Sequence, residues 1–91
     1  MSAVVNSAAA LKRLPPGTML TVTWPATGRT ANRVFHAGRS ADVVFLTDAG
    51  EKSYLDLRGC RVTATPDGFN VSWPDDPHAT ACEYRFSGVR P

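Results

Sequence analysis

The stretch Val43–Leu57, VVFLTDAGEKSYLDL, carries the most regular pattern in this chain. Apolar residues run up to Thr47-Asp48-Ala49-Gly50, and beyond them Leu55 and Leu57 alternate with Tyr54 and Asp56. Gly accepts the positive φ that tight turns demand, and Asp commonly bonds the turn backbone. The pattern predicts a β-hairpin, with strands over Asp42–Thr47 and Ser53–Leu57 and a turn at Asp48–Gly50. A two-residue period puts Val44 and Leu46 on the buried side of the first strand and Leu55 and Leu57 on that of the second.

The same period extends in both directions. Upstream, in Thr18–Trp24 (TMLTVTW), Leu20, Val22 and Trp24 share one face and Met19, Thr21 and Thr23 the other. Pro25–Gly28 reads as a turn, Arg29–Ala37 as a further extended segment, and Gly38–Ser40 as another turn. Downstream, Cys60, Val62 and Ala64 alternate, Pro66-Asp67-Gly68 forms a tight turn, and Phe69, Val71 and Trp73 alternate again. Pro74–Thr80 (PDDPHAT) reads as a loop, and Cys82, Tyr84 and Phe86 mark a last strand. Ahead of all this, Asn6 or Ser7 suits the cap of a short helix through AAALKRL, whose basic end complements the helix dipole. Pro15-Pro16-Gly17 stops it. About seven short strands, with turn signals about every eight to twelve residues, predict an all-β antiparallel barrel or sandwich. No internal repeat is apparent.

The chain has 91 residues, enough for one domain with one modest core. No apolar run is long enough to span a bilayer as a helix. In the N-terminus the basic residues follow the apolar ones, the reverse of a secretory signal, which points to a cytoplasmic protein. The two cysteines, Cys60 and Cys82, fit free thiols in a reducing compartment. Size alone, as a base rate, suits a small bacterial or phage accessory protein. The net charge of +2 is unevenly spread: residues 1–40 hold five bases and no acid, while residues 41–91 hold eight acids and five bases. Such asymmetry can mark a surface for an anionic partner, or can vanish when folding mixes the two parts.

The layout of Gly17–Val62 resembles the SH3-like small barrels, and among them the Tudor-type domains most. The shared features are a first strand ending in Trp24, a basic second strand, and Val-x-x-Leu-Thr-Asp-x-Gly followed by an alternating strand. The resemblance implies an SH3-like core over residues 17–65, preceded by a tail or short helix (1–16) and followed by a C-terminal hairpin extension (66–91). It also implies where a ligand cage for methylated side chains belongs, because such a cage needs several aromatic faces around a weakly hydrated cation. Trp24 stands at one wall. The other walls fall on Leu46, Ala49 and the Asn32–Arg33 region, none of them aromatic, so methyl-lysine or methyl-arginine reading is not expected.

No catalytic set emerges. Cys60, His78 and Cys82, with His36, are zinc-type ligands, yet no Cys-x2-Cys pair anchors them, and cysteine at alternating apolar positions behaves as a small hydrophobe. Asp75, Asp76 and His78 read as a solvated loop. Neither a phosphate-binding loop nor a nucleophile elbow occurs. No enzyme, metal or cofactor is expected.

Two binding surfaces remain. Arg29, Arg33, His36 and Arg39 lie close together, beside Trp24, Asn32 and Phe35. Basic and aromatic side chains on one face suit phosphate contacts with base stacking, and equally suit a solvated edge strand. Tyr54, Trp73 and Tyr84 could form an apolar groove for an extended peptide. The resulting expectation is a non-enzymatic interaction module, a protein-binding adaptor or inhibitor acting through a barrel face. The alternative is a nucleic-acid-binding domain using the basic second strand. The residues put forward for partner binding are Trp24, Arg29, Arg33, Phe35, Arg39 and Tyr54. A dimer through the Cys82–Phe86 strand is also open.

Overall fold

A computed structural model describes residues 4–89, apart from the side chains at 77, 78, 88 and 89. One short helix, α1 (Ala8–Lys12), precedes seven strands: β1 (Thr18–Trp24), β2 (Arg29–Gly38), β3 (Asp42–Leu46), β4 (Lys52–Asp56), β5 (Arg61–Thr65), β6 (Gly68–Trp73) and β7 (Asp76–Val89). All belong to one antiparallel sheet in the order β4-β3-β2-β1-β7-β6-β5. The all-β class, the β3–β4 hairpin and the bounds of β1 agree with the sequence pattern.

The sheet curls but does not close. Its two edges, β4 and β5, are consecutive in the chain and joined only by Leu57–Cys60. Seven strands laid flat would hold their edges about 29 Å apart, more than the roughly 17 Å that this link can span fully extended. The link is itself folded, with the Cys60 amide donating to the Leu57 carbonyl and the Leu57 amide to that of Ala41. The core shows the same curvature. Phe45 on β3 stacks on Tyr84 on β7 at 5.4 Å between ring centroids, although β2 and β1 lie between these strands. Phe69 stacks on the other side of Tyr84 at 4.8 Å, and Phe35 meets Phe45 edge-on. This aromatic row runs through a core of Leu20, Val22, Val43, Leu55, Val62 and Val71.

One end of the curl is plugged. Ser7 caps α1 by accepting from the Ala10 amide, as its sequence position suggests. Val5, Leu11 and Leu14 then drop into the core. Helix and strand meet closely at Gly38, where a Cβ would overlap the Lys12 carbonyl. Gly is required there because backbone approaches backbone.

Four expectations need correction. Pro74–Thr80 is not a loop: the turn is confined to Pro74-Asp75, and β7 begins at Asp76. The β6–β7 hairpin is not an appendage to a core ending at residue 65, because β7 lies between β1 and β6 while β5 pairs with β6. The Cys82–Phe86 segment is therefore paired on both sides and offers no free edge for a dimer. In β3, Val43 and Phe45 enter the core, while Val44 lies on the opposite face, also buried, and Leu46 is half-buried. A strand buried on both faces has no alternation to betray its register.

Candidate functional site

The other end of the curl is open. Antiparallel neighbours of one strand run parallel to each other, so β1 and β6, on either side of β7, finish at the same end of the sheet. Each finishes in a tryptophan, Trp24 and Trp73, and each tryptophan is followed by proline. Two ladder spacings separate the strands, about 9.5 Å. Trp24 closes β1, and its carbonyl accepts from the amides of Thr27 and Gly28 at 3.2 and 2.8 Å. Gly28 takes a φ of 71°, which glycine adopts without strain. This turn brings Arg29 directly across from Trp24 and Arg33 across from Leu20, so both arginines share the core-facing side of β2.

The result is a cleft of about 710 Å³. Trp24, Trp73, Arg29 and Arg33 line it, with Ala26, Ala79 and Ala81 supplying small apolar surface and Asp76 an acid on the Trp73 side. Trp73 is 44% exposed, while Trp24 is half-buried against the core. The Arg33 guanidinium lies over the Trp24 ring at 5.7 Å from its centroid and donates to the Asn32 carbonyl at 2.8 Å. Among the described residues, neither Arg29 nor Arg33 has a carboxylate partner; the arginines that do are Arg39, Arg58 and Arg85. Beneath the cleft lie Cys82 and Tyr84, both buried. Burial pushes the Tyr84 phenol well above its ordinary value, and the neighbouring Cys82 thiol adds to this while Arg33 opposes it. Burial likewise raises the Cys82 thiol, partly offset by Trp24 and Tyr84, and raises Cys60, which donates to the Asp56 carbonyl.

The six residues put forward from the sequence do not form one surface. Trp24, Arg29 and Arg33 meet in the cleft. Phe35 is 2% exposed and belongs to the core, so it is withdrawn as a contact residue. Arg39 follows the far end of β2, paired with Asp42 at 3.1 Å and lying over the Tyr54 ring at 5.8 Å. Tyr54 is exposed on the outer face of the β3–β4 hairpin. The apolar groove of Tyr54, Trp73 and Tyr84 does not exist either: Tyr54 is on that outer face, Trp73 in the cleft and Tyr84 in the core. Among the described residues no three His, Cys, Asp or Glu side chains stand close enough to hold a metal ion; the His78 side chain lies outside them.

Trp73 acquires its place beside Trp24 only through the fold. A signal for the pairing is nonetheless present in the sequence, and it corrects the reading that the chain lacks an internal repeat: Val22-Thr23-Trp24-Pro25 and Val71-Ser72-Trp73-Pro74 are a four-residue repeat, Val-(Thr/Ser)-Trp-Pro. Each copy ends a strand. In comparisons with known proteins, no family model, no curated protein and no solved structure matches this chain significantly.

Proposed function

We propose that this chain is a non-enzymatic interaction module that engages a protein partner through the cleft at its open end. The observation that carries the reading is the pairing of two tryptophans, delivered by separate strands to one end of the sheet, with two arginines that no carboxylate neutralises among the described residues. Tryptophan and arginine dominate the energetics of protein interfaces because each combines a large apolar surface with a polar handle. Against a thiol enzyme stands the raised pKa of both cysteines, which disfavours the reactive thiolate. The curled sheet and its β3–β4 hairpin are in keeping with an SH3-like, Tudor-type relationship. The insertion of β7 beside β1 departs from a self-contained core over residues 17–65.

Affinity capture from a lysate of the producing organism tests the proposal, with the wild-type chain and a Trp24→Ala/Trp73→Ala variant compared side by side. A specific protein retained by the first and lost by the second is the expected result. A partner retained equally by both would move the interface elsewhere. The second reading is a nucleic-acid-binding domain, favoured by the stacked Arg33–Trp24 pair. It predicts amide shifts on adding oligonucleotide that fade steeply as salt rises.

A further inference from the structure

Resting on the cleft as the binding site, we infer that its ligand is an acidic segment of a protein, one that inserts an apolar or aromatic side chain between Trp24 and Trp73 and sets a flanking carboxylate against Arg29 and Arg33. Two features of the cleft define this chemistry. Its lining is largely apolar, with two indoles and three alanines. One of its two cations is held ready: Arg33 is half-buried, braced on Trp24 and on the Asn32 carbonyl, and without an acid of its own among the described residues. A guanidinium fixed in this way matches a carboxylate bidentately and loses little freedom on binding.

The competing occupants fit less well. A cationic side chain would meet the two positive charges of Arg29 and Arg33. A nucleic-acid strand would gain only two phosphate contacts here. Arg39, which could have extended a basic track along β2, lies beyond the other end of that strand and is already paired with Asp42.

The test follows the indole N–H signals of Trp24 and Trp73 by NMR on the full chain. The probes are a capped peptide with phenylalanine flanked by glutamates, its glutamine counterpart, short oligo(dT), and a peptide bearing trimethyl-lysine. The expected result is a saturable shift of both indoles with the glutamate peptide, weakened by salt. The glutamine peptide, and an Arg29→Gln/Arg33→Gln variant, should each bind about tenfold more weakly, as loss of a charge-assisted pair implies. Equal binding of both peptides, abolished by Trp73→Ala, would overturn the acidic partner and leave the cleft as the binding site. Oligo(dT) or trimethyl-lysine binding more tightly than the glutamate peptide would overturn the assignment in favour of that class. No indole shift with the glutamate peptide at millimolar concentration would overturn it outright.

Discussion

The two ends of the curled sheet answer the same problem in opposite ways. At one end, Val5, Leu11 and Leu14 cover the core, and Gly38 lets the helix backbone come into contact with β2. At the other, where Trp24 and Trp73 finish their strands, no such segment is present among the described residues and the large side chains stay partly exposed. The seven residues of β1, about 20 Å from first to last, separate these ends. The closed end therefore carries stability, while the open end is where we propose recognition, and on that proposal each should be open to disturbance without the other.

Mutation at the closed end should have the largest effect. Leu11 is fully buried, and Leu11→Ala is expected to cost about 2–5 kcal/mol in urea unfolding, from lost transfer energy and the cavity left behind. Ligand binding by the remaining folded fraction should be unchanged; a matching loss of affinity would break the division between the ends. Next comes Gly38→Val, which forces a branched side chain against the Lys12 carbonyl and should cost about 1–3 kcal/mol by displacing the helix.

Tyr84 lies between the two ends, and its effect depends on pH. Its folded-state pKa is raised by burial, so the folded chain keeps a proton that the unfolded chain loses above about pH 10. This contribution is fully present below that pH and is lost as pH rises, with a slope of up to about 1.4 kcal/mol per pH unit. Denaturant titrations above pH 10 should show Tyr84→Phe with a shallower alkaline decline than the wild type. An identical decline would mean that the phenol reaches solvent through the cleft. The smallest effects on stability belong to the open end. Trp73→Ala should change it by about 1 kcal/mol or less while removing binding, and Arg33→Gln should lose its stacking on Trp24 and its exposed bond to the Asn32 carbonyl, together about 0.5–1 kcal/mol. A large loss of stability in either would make the cleft part of the core.

What was legible in the sequence was local. The β3–β4 hairpin, the extent of β1 and a helix cap at Asn6 or Ser7 each follow from residues within one short window, where turn chemistry and period decide the outcome; the structure assigns the cap to Ser7. Trp24, Arg29 and Arg33 could be grouped for the same reason, since one turn joins their strands. The register of β3 was hidden because Val43, Val44 and Phe45 are all buried. The start of β7 was hidden by Pro74 in the turn before it and Pro77 within it, and its place beside β1 by distance along the chain. Trp73 could not be placed with Trp24 until β7 had aligned β1 and β6, although the Val-(Thr/Ser)-Trp-Pro repeat hinted at equivalence. Phe35 was misassigned because a core aromatic next to a basic residue looks the same in sequence as an exposed one.

The position of β7 also governs how the chain can fold. Five of the six pairings in the sheet join strands adjacent in sequence, but the β1–β7 pairing joins Thr23 to Glu83, 60 residues further on. The β1–β2–β3–β4 and β5–β6–β7 units can each form early from short loops, whereas the joint between them must wait for closure of a long one. During synthesis, β1 emerges well before the strand that will cover it, leaving its backbone a free edge in the meantime. The rate at which β7 docks therefore sets both the folding time and the interval in which another chain could take its place.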